Sequence, residues 1–224
     1  MCPLSKESGL SELITLSDPR SPAAEAYRAL RTGVQFAAVD KPIRTLLVAS
    51  CAAEDGKSAA AANLAVTCAQ GGSRVILVDA DLRRPAQHTI WKMPNERGFT
   101  TLMRDPNALK NPPVQQPKVD LLSILTAGEL PPNPADLFGA QRMIEVINSL
   151  RDAADLVIFD APPVLAVSDT ALLATKVDAV LLVIRAEATR RDHARRAKET
   201  LERLQVRLIG AALTNAPRGS VSQY

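Results

Sequence analysis

Three short apolar runs, each ended by polar or charged residues, place the strongest limit on the folds open to this chain. Runs that are apolar on both sides are typical of parallel strands buried between layers of helices. Two further apolar runs follow nearer the C-terminus. The five runs are 45–50, 75–78, 156–159, 179–184 and 207–214. Because helical segments separate them, the sequence predicts an α/β fold with a doubly wound, mainly parallel sheet and helices on both faces.

The segments between the predicted strands carry helix signals. Ser21 and Pro22 open a helix that runs to about residue 38, since proline is favoured at an early helical position. Its buried face is expected to include Tyr27, Leu30 and Val34, with Phe36 as a further candidate. The next predicted helix spans 57–70, and Gly71 and Gly72 end it. The other predicted helices span 133–151 and 189–204.

The chain is expected to form one domain at 21–217. The polar residues 1–20 predict an extended N-terminal arm, and 218–224 a flexible tail. The proline-rich stretch 104–134 predicts an irregular excursion around a short strand at 121–125. Long excursions of this kind in a compact domain are often functional.

Composition excludes several classes of protein. A net charge of +3 and an aromatic content of 3% argue against a nucleic-acid partner. The three cysteines have no metal-ligand spacing, which favours a reducing cytosol over a disulfide framework or a zinc site. The start of the chain lacks a signal-peptide pattern, and no run reaches the ~18 apolar residues of a membrane helix. We therefore expect a cytoplasmic protein whose membrane link comes from a partner.

A phosphate-binding loop is predicted between the first strand and the helix that follows it. Backbone N–H groups at a helix N-terminus, with the helix dipole, attract phosphate. Lys57 could reach the β- and γ-phosphates, and the Ser58 hydroxyl could bind magnesium. A plain helix N-terminus with an exposed lysine is the alternative. The candidate nucleotide-binding residues of this loop are Ala53, Glu54, Asp55, Gly56, Lys57, Ser58 and Ala59.

Two carboxylates, Asp79 and Asp81, follow the second strand at the edge where open α/β sheets bind ligands. Such a pair repels itself unless a cation or an arginine lies between, and magnesium binds one or two carboxylates together with phosphate oxygens. Asp160 ends a third apolar run in the manner of a Walker B strand, whose aspartate holds magnesium or its water. The alternatives are a polar strand end with a turn, and an aspartate that merely caps its strand.

These segments together resemble the bacterial tyrosine kinase (BY-kinase) family of capsule and exopolysaccharide loci. That family is a branch of the deviant Walker P-loop ATPases, which also include MinD and ParA. MinD-type ATPases have a signature lysine where this chain has Ala52, and none is present here. The matching segments are Walker A at 50–58, Walker A′ at 78–85, Walker B at 160–163, the helix motif of Glu25, Arg28 and Arg31, the stretch 127–134, and Ser168 with Asp169.

The resemblance implies a P-loop NTPase that binds ATP and Mg²⁺. By that resemblance Lys57 and Ser58 bind phosphates and magnesium, and Asp79 and Asp160 complete the magnesium site. Asp79 or Asp81 would accept the proton of a tyrosine hydroxyl. Two further roles are implied: Arg83 would help hold the acidic pair or the transferred phosphate, and Asn215 is a candidate adenine contact.

The resemblance also implies an assembly. The helix motif of Glu25, Arg28 and Arg31 is tied in the family to a ring of identical subunits. A short kinase of this kind depends on a transmembrane activator of polysaccharide synthesis and export. The expected activity is tyrosine autophosphorylation, with Tyr224 as the candidate acceptor.

Two departures from the family pattern leave other hypotheses open. Ala53 and Glu54 replace the Pro-Gly of the phosphate loop, and glutamate adopts the backbone angles of glycine only at a cost. The family's cluster of tail tyrosines is reduced to Tyr224, which is either a substrate or an inert chain end. The alternatives are a MinD- or ParA-like ATPase switch without kinase activity, and a degenerate nucleotide-binding regulatory partner.

Overall fold

The computed structural model describes residues 13–216. Within them a sheet of six strands, all parallel, runs in the order β3-β2-β4-β1-β5-β6. The predicted fold class is confirmed. The strands are β1 (Thr45–Ser50), β2 (Val75–Asp79), β3 (Leu122–Leu125), β4 (Leu156–Asp160), β5 (Ala179–Arg185) and β6 (Leu208–Thr214).

Helices cover both faces of this sheet. Alternate residues of β1 show why: Leu46 and Val48 pack against α2 and α3, while Leu47 and Ala49 belong to the core on the opposite face. The alanine-rich α3 is buried along most of its length. The helices are α1 (Ile14–Ser17), α2 (Pro22–Ala37), α3 (Lys57–Gln70), α4 (Gln87–Ile90), α5 (Phe99–Arg104), α6 (Pro134–Gly139), α7 (Arg142–Ala153), α8 (Asp169–Ala174) and α9 (Arg191–Arg203), with a 3-10 helix at Pro106–Lys110.

The expectation of an extended arm is wrong for its described part. Residues 14–17 form α1, and Leu13 and Thr15 are buried. The physical reason is a polar anchor: the backbone N–H and the hydroxyl of Thr15 both donate to Asn63 Oδ1 in α3, over 3.1 and 2.8 Å. Residues 1–12 and the predicted tail 218–224 lie outside the described residues.

Three further expectations are corrected. The helix predicted at 133–151 is two helices, because Ala140 adopts an extended conformation between α6 and α7. Phe36 is 73% exposed and does not join the buried face of α2. The excursion contains a 3-10 helix, and α5 just before it is tied to the stretch after β3 by a 2.7 Å bond from the Phe99 N–H to the Thr126 carbonyl.

Candidate active site

The loop between β1 and α3 has the curled shape of a phosphate loop although its motif is incomplete. Gly56, which precedes α3, has a left-handed backbone with φ of 83°, a conformation that glycine adopts readily. Glu54 takes the same region, with φ of 66°, and its residue is exposed. The glutamate thus adopts the glycine-like conformation that its position requires, without the freedom of glycine.

Side chains from other elements hold this loop. Asp55 is buried, and its carboxylate accepts the Ala52 N–H over 2.9 Å and the Thr189 hydroxyl over 2.8 Å. The hydroxyl of Thr214, the last residue of β6, donates to the Asp55 carbonyl over 2.7 Å. Arg185 donates to the Glu54 carbonyl over 3.3 Å. The ends of β5 and β6 therefore fix a loop that lacks the usual Pro-Gly.

The carboxyl ends of β2 and β4 place two of the predicted carboxylates side by side. Asp79 and Asp160 are register partners on these neighbouring strands, and both are fully buried. Asp81 follows β2 and is also buried. Because the strands are parallel, their carboxyl ends meet at one edge, which we call the acidic edge: Asp79, Asp81 and Asp160.

Lys57 joins the phosphate loop to the acidic edge. Its ammonium Nζ lies 2.8 Å from Asp81 Oδ2, 3.2 Å from Asp160 Oδ1 and 3.1 Å from Ser58 Oγ. Burial by itself would lower the pKa of Lys57, but the charges and hydrogen bonds of Asp160 and Asp81 raise it above its ordinary value. The lysine is therefore positively charged at neutral pH. The structure brings together the three segments that the sequence predicted to meet.

Asp79 faces backbone donors. Its Oδ2 accepts the N–H groups of Ala86 and Gln87 over 3.0 and 2.9 Å, and its Oδ1 accepts the Asp81 N–H over 3.3 Å. Burial, with the charge of Asp160 beside it, raises the pKa of the Asp79 carboxyl above its usual range, against the opposing effect of the Gln87 N–H. Three carboxylates and a single ammonium thus share one buried edge.

The oxygen atoms at this edge are of the kind that bind magnesium. Ser58, Asp79 and Asp160 offer hard oxygen atoms, and the excess of carboxylate over ammonium favours a cation. Within residues 13–216, no three His, Cys, Asp or Glu side chains are arranged to hold a metal ion by themselves. A cation here would share protein oxygens with phosphate oxygens and water, as magnesium does at nucleotide sites.

The guanidinium of Arg83 bonds to Asp169 and not to Asp79 or Asp81. Its guanidinium donates to both oxygens of Asp169, over 2.8 and 3.1 Å, and the Asp169 side chain is fully buried at the start of α8. Asp81 Oδ1 accepts backbone N–H groups of Arg83 and Arg84, over 3.3 and 3.0 Å. The side chain of Arg83 therefore anchors the segment after β2 to α8. The resemblance implied that Arg83 would help hold the acidic pair or the transferred phosphate, and the guanidinium does not hold the acidic pair here.

Other predicted residues lie away from the ion cluster. Asn215 is exposed directly after β6, with φ of 52°. On α2, Arg28 pairs with Glu25 over 2.6 Å, and Arg31 donates to the Thr67 carbonyl of α3 over 3.0 Å. Tyr27 is partly buried against the core, as predicted. Tyr224 lies outside the described residues.

Sequence reasoning missed four residues that support the site: Gln87, Asp169, Thr189 and Thr214. Each makes a side-chain contact with a site residue far away in sequence, so local spacing carries no signal for that contact. Asp169 has a partial signal, because it lies in one of the segments that resemble the family. The other three are polar residues next to a strand or helix end, a position where most such residues only meet solvent.

Comparisons with known proteins agree with this geometry. The family model for ParA, described as an NUBPL iron-transfer P-loop NTPase, matches residues 42–215. The MinD protein of Pyrococcus horikoshii with Mg-ADP matches with a TM-score of 0.66 at 18% identity, over 79% of this chain and 72% of its own. That likeness shows the fold alone. The chain is a ParA-like P-loop NTPase, and the fold of this class binds nucleotide.

The relatives define a narrower family. Tyrosine-protein kinase YwqD of Bacillus subtilis is 38% identical over 95% of this chain and 89% of its own length. The putative tyrosine-protein kinase CapB of Staphylococcus aureus is 32% identical over 98% of this chain and 96% of its own. The chain therefore belongs to the bacterial tyrosine-protein kinase family.

Solved structures support the same assignment. The chimerical protein CapA2B2 matches with a TM-score of 0.88 at 32% identity, over 92% of this chain and 91% of its own. The kinase domain of Escherichia coli ETK matches with a TM-score of 0.86 at 31% identity, over 95% of this chain and 83% of its own. Among residues 13–216, no helix has the length and apolar character needed to cross a membrane.

Proposed function

We propose that this chain is an ATP-dependent protein-tyrosine kinase that phosphorylates itself and regulates the synthesis and export of exopolysaccharide or capsule chains. One observation carries the proposal: Lys57 of the phosphate loop lies within salt-bridge distance of Asp81 and Asp160 at the acidic edge. Relatives that are named tyrosine-protein kinases, and are 38% and 32% identical over nearly the whole chain, support the same activity.

The nucleotide phosphates would bind at residues 53–59. Backbone N–H groups at the start of α3 point to this position, where the helix dipole favours negative charge. Lys57 would turn its ammonium from the acidic edge to the phosphates. Ser58, Asp79 and Asp160 would hold magnesium, which when bound supplies positive charge to offset the phosphates. Asn215, next to the Thr214 that bonds the loop, would contact the adenine.

Asp81 is the stronger candidate to accept the tyrosine proton. Both oxygens of Asp79 already accept backbone N–H groups. By contrast, the side-chain partner of Asp81 Oδ2 is the ammonium of Lys57, at 2.8 Å. When Lys57 turns to the phosphates, that oxygen becomes available to accept a proton from a hydroxyl within hydrogen-bond reach. Arg83, held by Asp169, would keep the segment that carries Asp81 in place.

The assembly completes the proposal. The kinase would work in the cytoplasm, recruited to the inner face of the plasma membrane by a transmembrane activator. Glu25, Arg28 and Arg31 would join copies of the chain into a ring, so that one copy phosphorylates the next. Glu25 has a 70% exposed side chain that a neighbouring copy could reach. Arg31 is turned toward α3 and would have to share its guanidinium with a neighbour.

A phosphotyrosine assay tests the proposal. The full chain is incubated with magnesium and labelled ATP, with and without an activator fragment, as wild type, Lys57→Met and Tyr224→Phe. We expect label on the wild type, none on Lys57→Met, and little on Tyr224→Phe, since Tyr27 is packed against the core. ATP hydrolysis with no phosphotyrosine in any condition would favour a MinD-like switch. Absence of ATP binding would favour the degenerate partner.

A further inference from the structure

Gln87, the first residue of α4, has a fully buried side chain beside the ion cluster and belongs to none of the predicted sites. Its amide nitrogen Nε2 donates to Asp160 Oδ2 over 2.9 Å and to the backbone carbonyl of Ser58 over 3.1 Å. Its backbone N–H donates to Asp79 Oδ2 over 2.9 Å. One residue therefore contacts α3 and the acidic ends of both β2 and β4.

Trp91 determines which way the Gln87 amide faces. The indole Nε1 is a donor only, and it lies 3.1 Å from Gln87 Oε1. The Ser58 carbonyl and an ionised Asp160 carboxylate only accept hydrogen bonds. If the amide were turned over, its NH₂ group would face the indole N–H and its oxygen would face two acceptors. A single orientation satisfies all three partners, so the indole fixes the donor toward Asp160.

The two oxygens of Asp160 have different partners. Oδ1 lies 3.2 Å from Lys57 Nζ, and Oδ2 accepts from Gln87 over 2.9 Å. If Lys57 turns to the phosphates, as the proposed function requires, the Gln87 amide is the side-chain donor that stays with the carboxylate. Donors of this kind orient a metal-binding carboxylate, and their loss typically lowers metal affinity by about 10- to 100-fold.

We propose that Gln87 is a positioning residue for the magnesium site and that Trp91 locks its orientation. The inference rests on the proposed function, because it concerns the same nucleotide site. Gln87 orients the Asp160 carboxylate and ties it to α3 through the Ser58 carbonyl. The chain Trp91–Gln87–Asp160 then transmits changes at the metal site to an indole outside it.

The indole gives a readout that needs no catalysis. Trp91 is the only tryptophan of the chain, so a ¹⁵N-labelled sample gives one indole N–H signal by NMR. In the protein without nucleotide and metal, Gln87→Met should move this signal upfield and speed its hydrogen exchange, because methionine has the length of glutamine but lacks the acceptor oxygen. In the wild type, Mg-ADP should shift the signal. In Gln87→Met that shift should be lost.

Calorimetry measures the consequence for magnesium. The ADP affinity of the full chain is measured with and without magnesium, and the ratio of the two affinities is compared between variants. We expect Gln87→Met to lower this ratio by about 10-fold or more, with ADP affinity in the absence of magnesium within roughly twofold of wild type. Trp91→Phe keeps an aromatic ring but removes the indole N–H donor, and should give a smaller reduction.

The matched control is Gln116→Met. Gln116 is exposed, and its amide donates to the Ser123 hydroxyl over 2.9 Å, in a part of the fold that contributes no residue to the site. It should leave the magnesium ratio and the indole signal unchanged. A Gln87→Met protein with the wild-type ratio overturns the inference, and so does one that loses ADP affinity equally with and without magnesium. A wild type whose ADP affinity ignores magnesium overturns the magnesium site and this inference together.

Discussion

The phosphate loop and the acidic edge face each other across Lys57, but they are built in opposite ways. At the acidic edge Asp79, Asp81 and Asp160 match the expected motifs. All three carboxylates are buried, and each takes part in hydrogen bonds or ion pairs. In the loop the motif is eroded, Glu54 is exposed, and its backbone is left-handed. The loop nevertheless keeps the backbone conformation of a phosphate loop, with left-handed residues at positions 54 and 56.

The acidic edge and the phosphate loop take their shapes from different parts of the molecule. The ends of β2 and β4 position the acidic edge, and the register of two adjacent parallel strands aligns Asp79 with Asp160. The loop takes its shape from bonds made by Thr189 and Thr214, which lie far along the chain. We infer that a carboxylate at a strand end cannot be changed without loss of the site. A loop held by residues of other elements can keep its shape without the proline and glycine of the family motif.

The largest effect is expected at the acidic edge. Asp160→Asn keeps the shape of the side chain but removes the charge that faces Lys57, and it should lower the rate of phosphoryl transfer by roughly 100-fold. The control is Asp155→Asn, on the residue before the same strand, where the carboxylate pairs with Arg74 at the surface. An exposed pair is screened by solvent and lies outside the site, so the control should keep the wild-type rate. Equal rates of phosphoryl transfer for both variants would mean that the buried carboxylate of the acidic edge matters no more than an exposed one.

The next variant tests whether residues of other elements hold the phosphate loop in shape. Asp55→Ala leaves the Ala52 N–H and the Thr189 hydroxyl without their acceptor, so the free energy of unfolding should fall by about 1–3 kcal/mol. The affinity for ADP should fall as well. Urea unfolding and calorimetry measure the two quantities. Asp120→Ala, in the exposed turn before β3, serves as the control and should change neither. Unchanged ADP affinity in Asp55→Ala would mean that the loop keeps its shape without these bonds.

A third variant reverses the erosion of the motif. Glu54→Gly removes a left-handed glutamate, a conformation that costs about 1–2 kcal/mol, and should stabilise the protein by roughly 1 kcal/mol. Removing a carboxylate near the phosphates should also raise ATP affinity by roughly threefold to fivefold.

Gln205 provides the matched control for that variant. It is exposed, with φ of 55°, so Gln205→Gly should give a similar gain in stability. It lies after α9, away from the phosphate loop, and should leave ATP affinity unchanged. If the two variants raise ATP affinity equally, the gain comes from general stability and the charge of Glu54 is irrelevant.

The smallest effect concerns the contact from β6. Thr214→Val removes the hydroxyl that donates to the Asp55 carbonyl, with almost the same side-chain shape, and should lower the free energy of unfolding by about 1 kcal/mol. ADP affinity should fall slightly. Thr175→Val, directly after α8, removes an exposed hydroxyl that donates to the Leu172 carbonyl of that helix, and it should leave ADP affinity intact. A larger loss in Thr175→Val than in Thr214→Val would argue against a link between β6 and the loop.

Much of this fold could be predicted because its signals are local. β1 and α3 begin and end at the predicted residues, since an apolar run and a pair of glycines mark their limits. Other elements could not be predicted, because their signals lie in distant residues. α1 forms against Asn63 of α3, and α8 carries the buried Asp169 that receives Arg83. The exposure of Phe36 followed from which side of α2 meets α3, which the sequence pattern does not specify.

The sequence alone determined the parallel α/β sheet and the three polar segments at its carboxyl edge, because alternation of apolar runs with helices places the strand ends together. The tertiary structure decided how those segments are held. It turned Arg83 to Asp169, gave Asp55 its partners Thr189, after β5, and Thr214 of β6, and placed Gln87 between Asp160 and Trp91. The physical reason is that a buried polar group must find a partner, and the packing of distant elements decides which partner is within reach.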